Sequence, residues 1–155
     1  YSPPPLGRDR ALPLAVAEGV GDLVAEHRYR VPYFDALHYL RRADALLAVG
    51  SDDPTYAASK IFPYILARRP MLLLYHEASL VLKCATESGA GMRFAFGAQS
   101  DADQLAEQVW RNWFVAAAHR QPAGFDARGF APYSAQELTR KLAEILTEAA
   151  ATAER

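Results

Sequence analysis

Cysteine is nearly missing from this chain. Cys84 is the only one, so no disulfide can close within the sequence and no cysteine-based zinc site can be built. A reducing, cytoplasmic setting is the expected home. An excess of one charge is missing too. Seventeen Lys and Arg stand against eighteen Asp and Glu, a formal net charge of -1 with a pI near 6.5. No overall field then draws the chain onto nucleic acid or an anionic membrane, and any anion site must be local. Long apolar runs are absent as well. Met71 to Tyr75 and Leu80 to Leu82 fall far short of the roughly 20 apolar residues a membrane helix needs, and no charged-then-apolar leader opens the chain. No G-x-G-x-x-G follows a candidate strand, which argues against a dinucleotide-dependent dehydrogenase. His27, His38 and His119 have no partners at metal-ligand spacing, and Trp110, Trp113 and the tyrosines are spaced for packing rather than for base stacking.

What remains is a chain of 155 residues, 51% hydrophobic and 23% charged, the make-up of one globular domain with a real core. Residues 1–10 contain "SPPPLGRDR" and read as a linker or a truncated start, with the domain running over 11–155. A helix is expected around Leu12 to Ala25, weakened by Gly19 and Gly21. "HRYRVP" predicts a short strand stopped by Pro32, and "YFDALHYLRRA" a helix with Phe34, Leu37 and Leu40 on one face. "ALLAVG", "PMLLLY" and "MRFAFG" lack polar alternation, as strands covered on both faces would.

Between and after those runs the spacing predicts helices. One follows Ser59 with Ile61, Tyr64, Ile65 and Arg68, and one near Ala78 to Glu87 turns Leu80, Val81 and Cys84 inward. One spans about Asp101 to Ala118, capped by Ser100 with Asp103 and anchored by Leu105, Val109, Trp110 and Trp113. The last is capped by Ser134 with Glu137 and buries Leu138, Leu142, Ile145 and Leu146. The order βαβαβαβα predicts an α/β, Rossmann-like fold: a parallel sheet with helices on both faces. Ligands of such sheets sit at the carboxyl ends of the strands, here Pro32 to Asp35, Gly50 to Lys60 and His76 to Ser79.

Within "SKIFPYILARRP" a proline stands four residues after Ser59. With Ser59 as N-cap, the first turn is Lys60, Ile61 and Phe62, and Pro63 falls where helical hydrogen bonding is only beginning, so it removes at most one bond while its ring fixes φ near a helical value. Ser59 and Lys60 would then occupy the positive end of a helix at the sheet rim, the place for an anion. A hydroxyl, an ammonium and free amides can hold two or more phosphate oxygens, each charge-assisted contact worth about 1.5 to 3 kcal/mol. The plainer alternative is a capping serine beside a solvated lysine. Gly50 and Ser51, in the long loop "GSDDPTYAA", would let backbone approach a ligand. Asp52 and Asp53 suit a divalent cation, but "DDPT" is better explained as turn chemistry, so no metal is expected. The arginines of "LRRAD" and "LARRP" sit where helix C-termini favour positive charge.

The run "VPYFDALHYLRRADALLAVGSDDPTYAASKIFPYILARRPMLLLYHEAS" resembles the C-terminal, nucleotide-sugar-binding half of a GT-B glycosyltransferase of the group 1, family 4-like kind. Pro32, Ala43, Asp44, Ser59, Lys60, Tyr64, Leu66, Ala67 and Pro70 follow that family's order, over roughly Val24 to Trp113. The tail "FAPYSAQELTRKLAEIL" is similar to the closing helix of such domains. The resemblance implies donor binding in a retaining-type enzyme, with a nucleotide-diphosphate sugar as substrate, no further cofactor, and Ser59 and Lys60 on its diphosphate. Lys60 would stabilise the leaving group. Where the family often has a ribose-binding glutamate, this chain has Pro63.

Glu77 could supply that carboxylate, or be a first-turn glutamate favoured by the helix dipole. His76 could face the phosphates or the sugar, or be structural. Ser79 could donate to a phosphate or cap the next helix. Acceptor and base come mainly from the other GT-B domain, so the missing N-terminal half is the implied partner and the fragment should not turn over alone. The alternatives are half of a nucleotide-sugar epimerase and a non-catalytic Rossmann-like binding domain.

Overall fold

The structure is a computed structural model that describes residues 11–27 and 29–153. The expected linker at 1–10 lies outside the described residues. Contacts divide the chain into two compact units, with the boundary after Ala36.

In the first unit, α1 covers only Ala11–Ala17, and the chain turns at Gly19, whose φ is +73°. A 3-10 turn follows at Gly21–Leu23, so the glycines cut short the helix expected to reach Ala25. The Glu26 carboxylate accepts from the Leu12 amide at 3.2 Å and ties the segment back on itself. The described residues of "HRYRVP" form no strand. Tyr29 is 85% exposed, and basic residues on both sides leave the segment without an apolar face to bury. Helix α2, Tyr33–Arg42, starts directly after Pro32, whose carbonyl accepts from the Ala36 amide. Phe34 is exposed; the rest of α2, from Leu37 on, belongs to the second unit, and there Leu40 packs on that unit's core.

The second unit is an α/β, Rossmann-like arrangement. Three parallel strands, β1 (Leu46–Val49), β2 (Met71–His76) and β3 (Met92–Phe96), lie in the order β1-β2-β3. Leu46 pairs with Met71, and Leu72 with Met92. Parallel neighbours need crossovers, and α3 (Ile61–Ala67) and α4 (Leu80–Glu87) supply them. Both cover one face, where Ile61, Ile65, Val81, Cys84 and Ala85 pack on Leu46, Met71, Leu73 and Tyr75. Phe130, from the short α6 (Ala127–Phe130), closes that core.

On the other face Leu72 and Phe94 meet Trp113, flanked by Leu105 and Val109 of α5 (Ala102–Val109). Helices thus lie on both faces. α5 passes into a π-helical turn, Trp110–Val115, that buries Trp113 and leaves Trp110 56% exposed, so only one of the two expected tryptophan anchors is used. Its cap is Asp101, whose carboxylate accepts from the Asp103 and Gln104 amides, whereas Ser100 accepts from the Gly97 amide.

The three strands are not buried alike. β2, in the centre, is covered on both faces as its sequence predicts. β1 and β3 are edges. Leu47 and Val49 of β1 are exposed on the face that Trp113 covers further along the sheet. Leu80 of α4 also points outward.

Helix α7, Ala135–Ala153, keeps its expected cap, with Ser134 Oγ accepting from the Glu137 amide. Its apolar stripe departs from expectation: Leu138, Leu142, Ile145 and Leu146 are all exposed, and no residue of the helix joins either core cluster. No helix among the described residues is long and apolar enough to cross a membrane.

Candidate functional site

Parallel strands send all their outgoing loops to one end of a sheet, so the loops after Val49, His76 and Phe96 share a rim. Gly50, Ser51, Ser59, Lys60, His76, Glu77 and Ser79 lie there, in two groups, whereas Pro32 to Asp35, expected at a strand end, follow no strand and are not part of this rim.

Gly50 continues the ladder, its amide donating to Leu74 O at 2.8 Å. A Cβ on Gly50 would lie 2.4 Å from the Tyr75 ring. The close approach that requires glycine here is therefore to the Tyr75 side chain rather than to a ligand. Ser51 spends its hydroxyl within its own loop, donating to Asp52 and accepting from the Asp53 amide. Asp53 accepts from both the hydroxyl and the amide of Thr55. Those bonds hold its carboxyl below the usual carboxylate range, with nearby His76 a lesser cause. This is turn chemistry, as "DDPT" suggests.

Helix α3 begins one residue later than expected. Its N-cap is Lys60, in a helical conformation with no side-chain capping bond, and Pro63 is the third helical residue. The amides there are not free. Ile61 N donates to Ala58 O at 3.0 Å, Phe62 N to Ser59 O at 3.4 Å and Tyr64 N to Lys60 O at 3.4 Å, while Pro63 has no amide hydrogen to offer. What this corner presents is thus the exposed Ser59 hydroxyl and the Lys60 ammonium.

Lys60 lines a cleft of about 150 Å³ between the outer edge of β1 and the start of α3, walled by Val49, Tyr56, Tyr64 and Tyr75. Burial pushes the Tyr75 phenol up, and the neighbouring Tyr56 and Tyr64 add to the shift. Those three rings are the part of the site that sequence reasoning passed over as packing. Their spacing carries no signal, since Tyr56 comes from a loop, Tyr64 from a helix and Tyr75 from a strand.

Toward β3 stand the other candidates. His76 Nδ1 accepts from the Ala78 amide at 3.2 Å, which puts its ring proton on Nε2, and its ring meets Phe96 edge-on. Glu77 is exposed beside Gly97, where a Cβ would lie 2.8 Å from Glu77 Oε1. Ser79 is buried and committed: its hydroxyl accepts from the Val81 amide at 3.2 Å as the α4 cap and donates to Tyr56 O at 3.3 Å. It takes the cap role, and it fastens the β1 loop to α4. Lys60 therefore belongs to the β1 cleft, with Ser59 beside it in the chain but outside the cleft lining, while Glu77 leans on the β3 loop.

Among the described residues no three His, Cys, Asp or Glu side chains converge in a metal-binding group. Comparison with known proteins finds no matching family model, no matching curated protein and no matching solved structure.

Proposed function

We propose that this chain is the donor-binding half of a glycosyltransferase that uses a nucleotide-diphosphate sugar, with Lys60 holding the diphosphate. The observation that carries the reading is the Lys60 ammonium on a tyrosine-walled cleft at the carboxyl rim of a parallel sheet. An ammonium fixed there neutralises charge as the sugar–phosphate bond breaks and the diphosphate leaves. Ser59 Oγ adds one donor beside it. Glu77, exposed on the same rim, accepts from hydroxyls of the ribose or the sugar. The cleft volume of about 150 Å³ suits one phosphate group, so the rest of the donor extends over the open rim toward β3. The acceptor and the remaining catalytic groups come from a partner domain, so turnover needs both halves.

A second reading, a Rossmann-like domain that binds a partner without chemistry, draws on the bonded amides of Ile61 and Phe62, which leave fewer donors for a phosphate. Calorimetric titration with UDP, GDP and ADP separates the two. The donor reading expects one nucleotide to bind and Lys60→Ala to weaken it about 10-fold or more, the worth of one charged hydrogen bond. Absence of binding by all three nucleotides would leave the partner-domain reading.

A further inference from the structure

The opposite, amino end of the same sheet holds a second concave site. A groove of about 610 Å³ runs between the α3–β2 junction and the turn after the π-helical segment, lined by Asp44, Arg68, Arg69, His119, Arg120 and Gln121 among others. It takes three arginines and a single carboxylate. Among the described residues none of those arginines is in an ion pair, whereas Arg111 holds one glutamate and Arg140 two. Unpaired arginines gathered in a concavity repel one another, and an anion relieves that repulsion.

Both walls are set by unusual backbone. Arg68 and Ala117 are the two non-glycine residues with positive φ among the described residues, each at 53°. Such a conformation costs roughly 1 kcal/mol or more for a residue with a Cβ, and helix ends that need it usually carry glycine. Here one such residue ends α3 at the groove, and the other starts the 3-10 turn Ala118–Arg120 that forms the facing wall. Strain of this kind gathers where a site is being shaped.

The side chains are also held. Arg68 lies with its guanidinium carbon 4.4 Å from the centre of the Phe125 ring. Arg69 donates through Nε and Nη2 to Arg41 O at the end of α2, which leaves Nη1 outside that contact. His119 Nδ1 donates to Trp113 O at 3.0 Å, so its Nε2 carries a lone pair, which accepts from Arg120 Nε at 3.2 Å. Arg120 is thereby steered from behind, with both terminal nitrogens outside that bond.

We infer that this groove binds a phosphate group, as inorganic phosphate or as the phosphate of a small monoester. Preset guanidinium forks match a tetrahedral dianion better than they match a flexible acidic chain, which would need an extended track of charge. The site lies at the other end of the sheet from Lys60 and stands whether or not the rim binds a nucleotide.

The test is amide chemical-shift titration of the chain with inorganic phosphate and, separately, glycerol phosphate at fixed ionic strength. Saturable shifts centred on residues 68–70 and 117–123 are expected. Arg120→Ala should weaken binding about 10-fold or more, Arg120→Lys by less, and Lys60→Ala should leave it unchanged. Equal affinity for the two ligands would assign the site to free phosphate, and tighter binding of the ester to a monoester. The proposal is overturned by non-saturating shifts, by unchanged affinity in Arg120→Ala, or by an oligoglutamate peptide that binds here when phosphate does not.

Discussion

Gly50 and Tyr75 couple the rim to the core. The missing Cβ of Gly50 makes room for a ring that is 4% exposed and floors the Lys60 cleft. Gly50→Ala should force that ring aside at a cost of about 1 to 3 kcal/mol, as overpacking of a filled core does. The drop would be read from the urea midpoint, and an unchanged midpoint would mean that the ring yields freely. Single residues were only partly legible in the sequence. That Lys60 stands at the carboxyl rim follows from strand order and the early proline, both visible in the letters. That the amides around it are already bonded does not follow, because the tight turns made by Ala58 and Ser59 depend on backbone geometry. Ser79 was readable both as cap and as ligand, and only burial distinguishes the two.

Among the elements, caps decide where helices begin, and α5 is a clear case. Asp101 Oδ1 accepts two first-turn amides, at 2.9 and 3.0 Å, while Ser100 closes the loop before it by accepting from Gly97. Asp101→Ala should lower stability by about 1 kcal/mol. Ser100→Ala should cost less than that, and denaturant unfolding of the two variants gives the order. The sequence points to Ser100 with Asp103 as the capping pair, but the Ser100 hydroxyl is taken by the Gly97 amide and the cap falls to the next residue, Asp101. Helices and buried β2 were predictable from apolar spacing, since each depends mostly on its own residues. "HRYRVP" misled because a strand needs a neighbour, which no local pattern supplies. The stripe on α7 misled for a related reason. Its apolar spacing is real, but no α7 residue joins a core cluster among the described residues.

At the scale of the whole molecule, alkaline pH reaches the core through raised groups, the Tyr75 phenol already described and two more. Burial pushes the Cys84 thiol up to about 11, and a hydrogen bond to Glu87 raises the Tyr133 phenol to about 12. Both pKa values are raised by folding, so the neutral forms favour the folded state. Their contribution is complete below the unfolded values of 9.0 and 10.0 and is lost as pH climbs through about 11 and 12. Urea midpoints should therefore hold steady from pH 7 to 9 and fall above that, with Cys84→Ala flattening the first part of the fall and Tyr133→Phe the second. The α/β class was legible from the alternation of apolar runs and helices, but the number of strands was not. Leu47 and Val49 point the same way. Along the outer side of β1 the peptide groups have no strand beside them among the described residues, and their spacing of about 3.3 Å is a ready-made ruler for any extended backbone. Any extended backbone that zipped onto that margin would also shield two greasy side chains from water.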